Sequence, residues 1–324
     1  MRAVVCNELG PLENLTIEER EPLVAGPGQV VIDVTAAGVN FVDGLTAQGK
    51  YQMKPTPPYI PGGEAAGVVA AIGDGVTSVA VGQRVVAMTG FNGFATQTSA
   101  PEIMVFALPE GVDDAVAAAM LQSYGTAMFT MQRRTHVDRG EWVLVLGAGG
   151  GVGLACVDLA HALGARVIAA ASSVDKLAAA TAVGAEATIA YEDPGVDLKL
   201  AAREASGGGV DVVIDIVGGR HSEPALRATK LFGRFCVVGF AAGIPTVPLN
   251  QVLLNNRTVV GVEWGGWAFR NLMENHALLA EVLTMTAEGR LHPTVPARRP
   301  LEDAATVLQG LIDREIAGKV VLVP

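Results

Sequence analysis

Hydrophobic positions change their spacing along the chain. Over the first hundred residues they form short β-rich runs, Arg2–Asn7, Gln29–Ala36, Ala66–Ile72 and Gln83–Met88, separated by turns such as Ala25-Gly26-Pro27-Gly28 and Ile72-Gly73-Asp74-Gly75. Such runs between turn formers predict strands, and hence a small β-barrel or sandwich. Ala115–Ala127 is alanine-rich with few β-branched residues, which predicts a buried helix. Strand and helix periods then alternate. Strands are expected at Trp142–Leu146, Arg166–Ala171, Ala187–Tyr191, Val210–Val217, Arg234–Phe240 and Thr258–Trp264, with helices after Gly153 and at Lys176–Val183, Leu198–Glu204 and Pro224–Thr229. This alternation predicts an α/β domain with a doubly wound parallel sheet. Past Trp264 come two helical patterns, Asn271–Glu288 and Leu301–Asp313, and a final strand, Lys319–Val323, that returns to the first domain. The expected division is therefore residues 1–120, residues 121–264, and a returning segment, residues 265–324.

The stretch Gly147-Ala148-Gly149-Gly150-Gly151-Val152-Gly153 stands between the first of the six strands and its helix. A strand, a glycine turn and a helix, followed by a second strand, are the context in which such a turn binds the diphosphate of a dinucleotide. Phosphate oxygens must reach backbone N–H groups at the positive end of a helix, and a β-carbon would stand in the way. One register puts Ala148 at the tight turn, Gly150 against the diphosphate and Gly153 where helix and strand pack. Gly147, Gly149 and Gly151 leave other registers open.

Composition narrows the class. Half of the 324 residues are hydrophobic and 17% are charged, which suits a packed enzyme of two domains. A formal charge of −10 with no basic stripe argues against nucleic acid and anionic membranes as partners. No apolar stretch is long enough for a membrane span, and Met1-Arg2-Ala3-Val4-Val5 lacks a signal-peptide pattern, so a cytoplasmic protein is expected. Cys6, Cys156 and Cys236 are scattered and read as buried structural thiols. His136, His161, His221, His276 and His292 have no partners at metal-ligand spacing.

Several ordered motifs carry a resemblance. Ala37-Gly38-Val39-Asn40-Phe41-Val42-Asp43, Pro58-Tyr59-Ile60-Pro61-Gly62-Gly63-Glu64-Ala65-Ala66-Gly67-Val68-Val69, the glycine loop, Val237-Val238-Gly239-Phe240 and Gly318-Lys319-Val320-Val321-Leu322 together resemble the medium-chain dehydrogenase/reductase superfamily. Within it, the chain is similar to the zinc-free quinone oxidoreductase branch that includes zeta-crystallin. The resemblance spans essentially the whole chain. It implies a GroES-like β-rich catalytic domain joined to a Rossmann-type domain, with the active site in the cleft between them. In the similar zinc enzymes a cysteine stands at the position of Asn40 and a Gly-His-Glu triplet at Gly62-Gly63-Glu64. One remaining glutamate cannot make a catalytic zinc site, which needs about three protein ligands, so no zinc is expected.

The second strand of the sheet ends Ser172-Ser173-Val174-Asp175-Lys176. An acidic residue at its tip would favour NADH by binding the ribose hydroxyls. Here the two serines and Lys176 suit a 2′-phosphate, so NADPH is favoured over NADH, with Asp175 the alternative ribose contact. The resemblance further implies cofactor contacts at Asn40, Thr126, Tyr191, Gly239, Phe240, Ala241, Val262, Glu263 and Trp264. Hydride transfer to a quinone is the expected reaction, with a small planar electrophile as the partner. Reduction of an α,β-unsaturated carbonyl is the alternative, and a non-catalytic NADPH-binding, crystallin-like protein is the alternative of another class. A quinone or enal also needs a proton. Tyr51, Tyr59 and Tyr124 are candidate donors, Tyr51 being preferred as a residue lining the substrate cleft, and Asp43 reads first as a salt-bridged loop carboxylate, with orienting a water as its alternative role. Trp264 and Trp267 offer aromatic faces for a planar acceptor. The resemblance also implies a homodimer joined at the strand Thr258–Trp264.

Overall fold

The computed structural model describes residues 1–324. The chain forms two units, one of Met1–Gln122, Leu272–Glu288 and Thr294–Pro324, the other of Ser123–Asn271 with Gly289–Pro293.

The first unit begins with the antiparallel pair β1 (Arg2–Cys6) and β2 (Leu15–Glu19). Its main sheet grows around β3 (Gln29–Val39), which leads into a short helix, α1 (Phe41–Ala47). Then follow β4 (Glu64–Ile72), β5 (Arg84–Met88), β6 (Gln97–Pro101), β7 (Val105–Ala107) and α2 (Asp114–Ala118). The short polar strands β2 and β6 lack the apolar alternation that would announce them. The helix expected over Ala115–Ala127 is instead two, α2 and α3 (Leu121–Met128), with a π-helical turn at Phe129–Arg134. Alanine favours helix everywhere in this run, so composition alone does not mark the break at Ala119 and Met120.

The second unit holds six parallel strands: β8 (Trp142–Leu146), β9 (Arg166–Ala171), β10 (Ala187–Ala190), β11 (Val210–Asp215), β12 (Thr229–Val237) and β13 (Thr258–Gly261). Helices α4 (Gly151–Ala162), α5 (Val174–Ala182), α6 (Leu198–Ala205), α7 (Ser222–Ala228) and α8 (Asn250–Leu253) lie between them in sequence. The spatial order β10-β9-β8-β11-β12-β13 reverses direction between β8 and β11, the Rossmann arrangement. Leu144, Ile168, Val213, Leu226 and Phe235 form its core. The central strands read as unbroken apolar runs because both faces of a parallel sheet are covered. Two expectations fail here. The fifth strand starts at Thr229 rather than Arg234 and stops at Val237. The sixth ends at Gly261, and Trp264 opens α9 (Trp264–Arg270) because the carboxylate of Glu263 caps it, accepting the N–H of Gly266 at 2.6 Å.

The chain then returns through α10 (Leu272–Ala287), β14 (Ala297–Pro300), α11 (Ala304–Ile312) and β15 (Val320–Val323). The sheet of the first unit is completed in the order β14-β15-β3-β4-β5-β7, with β6 beside the first half of β3. Val4, Leu12, Val39, Phe94, Leu308 and Leu322 share one core and Val30, Ile32, Val69 and Val85 another. No helix is long and apolar enough to cross a membrane.

Candidate active site

Sheet register builds the charge set of the first unit. β15 runs antiparallel to β3 with Val320 opposite Val39, and β4 begins with Glu64 opposite Gly38. Three segments far apart in sequence therefore end at one point: Asn40 leaving β3, Glu64 entering β4 and Lys319 entering β15. Lys319 donates from Nζ to Asn40 Oδ1 at 2.6 Å and to Glu64 Oε1 at 3.2 Å. Asn40 donates from Nδ2 to the same Glu64 oxygen at 2.9 Å, and the Gln122 N–H donates to Glu64 Oε2 at 2.8 Å. Glu64 is fully buried and the Lys319 side chain is 8% exposed. Both oxygens of the carboxylate thus meet donors, the condition for burying a charge.

Asp43 sits one turn into α1, where its Oδ2 accepts the N–H of Asn40 at 2.8 Å and fixes the helix start. Burial raises its carboxyl from the usual carboxylate range to about 7, and the Glu64 carboxylate adds to the rise; the Asn40 N–H and the Lys319 ammonium oppose it. Its other oxygen, Oδ1, faces Gly63. A β-carbon at Gly63 would meet Gln122 Oε1 at 3.3 Å, the Gly90 carbonyl at 3.6 Å and Asp43 Oδ1 at 3.9 Å.

Asn40 and Asp43 are thus brought together, with three partners that sequence patterns alone do not single out: Glu64 as a hydrogen-bonded carboxylate, Lys319 and Gln122. Tyr51 lies in the loop after α1, half-buried, where Gln52 donates to its hydroxyl at 3.4 Å. Tyr59 packs on the apolar core beside Phe91.

In the second unit the glycine loop crosses from β8 to α4. The left-handed turn falls at Gly147, with φ of 74°, one residue before the expected Ala148, which is fully buried. At Gly153 a β-carbon would lie 2.1 Å from the Gly147 carbonyl, so only glycine lets the helix sit this close. At Gly149 it would strike the Lys176 stem at 2.3 Å. Gly150 differs: its nearest neighbour is 3.7 Å away and the residue is exposed. Nothing in the folded chain requires a glycine there. Gly150 precedes Gly151 and Val152 in the first turn of α4, a helix of 12 residues whose leading N–H groups are the anion-binding end.

At the tip of β9, Lys176 lies across Gly149 and donates from Nζ to Ser172 Oγ at 3.3 Å; Ser173 stands at the N-cap position of α5 without a side-chain capping bond, and Asp175 is exposed in its first turn. Tyr191, just past β10, packs against the His221 ring with centroids 4.3 Å apart. Gly239, Phe240 and Ala241 follow β12, where the N–H of Gly239 reaches the Asp215 carbonyl at 3.2 Å and Phe240 is 47% exposed. The Val262 N–H donates to the Val237 carbonyl at 2.9 Å. Trp264 is buried, and Trp267 packs on Phe129 at 4.7 Å. Thr126 lies on α3, half-buried. Tyr124 is committed elsewhere: its hydroxyl donates to Asp158 Oδ2 at 2.6 Å, the oxygen that also accepts the His292 N–H at 2.7 Å. The three cysteines are free and buried, and burial pushes the Cys236 thiol up to about 11. No group of three His, Cys, Asp or Glu side chains is arranged to hold a metal ion.

Each unit carries its own set of candidate residues, and comparison with known proteins gives the family. Residues 26–152 match the alcohol dehydrogenase GroES-like domain and residues 151–280 match the zinc-binding dehydrogenase family. Quinone oxidoreductase-like protein 2 of Bos taurus is 39% identical over 99% of this chain and 92% of its own length. Quinone oxidoreductase of Rattus norvegicus is 31% identical over 96% of this chain and 94% of its own. The crystal structure of Escherichia coli quinone oxidoreductase complexed with NADPH superposes with a TM-score of 0.91, at 26% identity and covering 100% of both chains. The chain belongs to the medium-chain dehydrogenase/reductase family, of quinone oxidoreductase type.

Proposed function

We propose that this protein is an NADPH-dependent reductase that delivers hydride to a quinone without zinc. The observation that carries the reading is the Lys319 ammonium, held by Asn40 and Glu64 at one end of the first unit's sheet. A zinc ion needs a set of lone pairs from sulfur, imidazole or carboxylate. Here the Glu64 carboxylate is engaged by an ammonium, an amide N–H₂ and a backbone N–H, and the Asn40 amide oxygen also faces the ammonium. That donor set does not fit zinc. Alcohol oxidation that relies on a Lewis acid to hold an alkoxide is correspondingly disfavoured, and reduction of an already electron-poor acceptor suits the site better.

The residues for the cofactor are those of the second unit. The N–H groups of Gly151, Val152 and Gly153 would take the diphosphate, the Gly150 N–H already donating to the Gly147 carbonyl at 3.1 Å, and Ser172, Ser173 and Lys176 the 2′-phosphate, with Tyr191 beside the adenosine. Gly239–Ala241 and Val262–Trp264, with Thr126, would lie along the nicotinamide. When bound, the reduced nicotinamide supplies hydride; the chain's own work is to orient the ring and acceptor and to keep bulk water away. The similar quinone oxidoreductase of Escherichia coli, crystallised as a complex with NADPH, supports this assignment. We also infer a cytoplasmic homodimer: β13 ends the sheet with Val259 exposed, and Leu231 and Phe232 are exposed on the neighbouring β12, an edge suited to pairing with a second copy.

A panel of quinones, enals and enoyl-CoA esters, followed by NADPH oxidation in stopped flow with metal content measured on the same sample, tests the reading. Fastest turnover with quinones, no stoichiometric zinc and a light-scattering mass of two chains is the expected result. Preference for enals or enoyl thioesters replaces the acceptor. Zinc whose removal abolishes turnover, or NADPH binding with no turnover of any acceptor, overturns the proposal.

A further inference from the structure

Two exits from the second unit's sheet meet without sharing a ladder. β10 ends at Ala190 and β11 at Asp215, and β9 and β8 stand between them. Yet residues that follow the two strands pair two by two. The Tyr191 ring lies against the His221 ring with centroids 4.3 Å apart and planes at 42°. Glu192, the next residue, accepts from His221 Nε2 at 3.1 Å and also holds the Arg220 guanidinium. A carboxylate only accepts, so this bond puts an imidazole proton on Nε2.

The pairing falls at the carboxyl ends of the strands, the edge where a doubly wound sheet takes its ligand. Ala190 is opposite Ala171 in the sheet, and the Tyr191 N–H donates to the Ala171 carbonyl at 3.1 Å, which sets the tyrosine backbone beside Ser172 at the tip of β9. His221 then supports one face of the tyrosine ring. Within the four-residue clasp the rings matter more than the ions. The Arg220 side chain is 74% exposed, and an ion pair in water contributes little. His221 is 10% exposed, and a desolvated aromatic pair with one ring fixed by a carboxylate holds its geometry.

We propose that His221 is a positioning residue for the adenosine end of the cofactor: anchored by Glu192, its ring backs Tyr191 and keeps the phenol ring in its binding place before the cofactor arrives. The role rests on the NADPH reading above, which sets Tyr191 beside the adenosine. Ordering a side chain in advance raises affinity, because its rotamer freedom is not lost at the moment of binding. The clasp belongs to the second unit alone and reaches no reacting atom. It therefore acts on cofactor affinity and leaves hydride transfer alone.

The test uses the full-length protein and 2′,5′-ADP, the adenosine half of the cofactor without nicotinamide, titrated by calorimetry. His221→Ala should bind 2′,5′-ADP and NADPH about 3- to 10-fold more weakly than wild type, the range for one side chain left to be ordered on binding. Its KM for NADPH should rise with kcat unchanged. His221→Phe restores the ring and should return both affinities to within about twofold of wild type. Adding His221→Ala to Tyr191→Ala should cost no further affinity, because a residue that acts through another has nothing left to support. Glu192→Ala changes a partly exposed side chain and should fold even where His221→Ala does not; it should weaken 2′,5′-ADP by a smaller factor. The role is overturned if His221→Ala or Glu192→Ala binds 2′,5′-ADP like wild type, if His221→Phe loses as much as His221→Ala, or if the loss is the same with and without Tyr191. A wild-type protein that binds neither 2′,5′-ADP nor NADPH overturns the cofactor reading and this role with it, whereas wild-type binding beside unaffected variants overturns this role alone.

Discussion

At Gly147–Gly153 the chain offers backbone and almost no side chain; at Asn40, Asp43, Glu64 and Lys319 it buries four polar side chains at one end of a sheet. The first region is local: seven consecutive residues carry strand end, turn and helix start, and its function needs the absence of β-carbons. The second is assembled across 279 residues, from Asn40 to Lys319, and its stability needs every member present. A cradle of N–H groups tolerates an empty state because water can serve the same donors. A buried charge set has no such substitute, so the two regions should respond to mutation in opposite ways, the loop through ligand affinity and the charge set through folding.

The largest effect is expected at the charge set. Lys319→Met leaves the fully buried Glu64 carboxylate without its cation, and breaking such a pair by removing one partner costs about 3–5 kcal/mol. For a unit of this size that lowers Tm by roughly 10 °C. Adding Glu64→Gln removes the orphaned charge and should recover part of the loss, because residues in one network couple. Thermal melts of wild type, both single variants and the double variant decide this. A Lys319→Met protein as stable as wild type would mean that the ammonium is not holding Glu64, and the contrast with the loop would disappear.

The glycine loop separates the two kinds of requirement within one motif. Gly153→Ala places its β-carbon 2.1 Å from the Gly147 carbonyl, a backbone clash that must lower stability. Gly150→Ala meets nothing nearer than 3.7 Å, so it should melt like wild type yet bind NADPH about 10- to 100-fold more weakly, as a β-carbon enters the space for the diphosphate. NADPH fluorescence titration set beside the melts reads both outcomes. Equal NADPH affinity for Gly150→Ala and wild type would remove the diphosphate from this position.

The same contrast explains what the sequence makes legible. The order of strands and helices in the second unit follows from apolar runs that are buried on both faces, and the glycine loop is visible because its neighbours in sequence are its neighbours in space. Helix α9 is hidden because Trp264 continues the apolar run of β13 and only the Glu263 cap reveals the stop. The charge set is half visible. Asn40 and Glu64 can be recognised as replacing a metal site in part, but Lys319 looks like an ordinary lysine before a strand. The signal that finds it is charge balance: a glutamate at the start of an apolar strand, with no metal ligands beside it, needs a cation from elsewhere, and the sheet register Val320 opposite Val39 supplies one.

Lys176 tests whether the loop region acts wholly through backbone. Its stem lies over Gly149 and its ammonium reaches Ser172 Oγ at 3.3 Å, at the tip of β9, where a ribose 2′-substituent would lie. An ammonium beside a phosphate that stays partly solvated contributes about 1–1.5 kcal/mol, close to a tenfold change in affinity. Lys176→Ala should therefore weaken NADPH about tenfold and leave NADH within about twofold, since NADH lacks the 2′-phosphate. The difference should shrink as salt is raised, because a half-buried charge is partly screened. Calorimetry with both cofactors at two ionic strengths measures all three quantities. An equal loss for NADPH and NADH would show that the lysine serves only as packing over Gly149, and the loop would then act through its N–H groups alone.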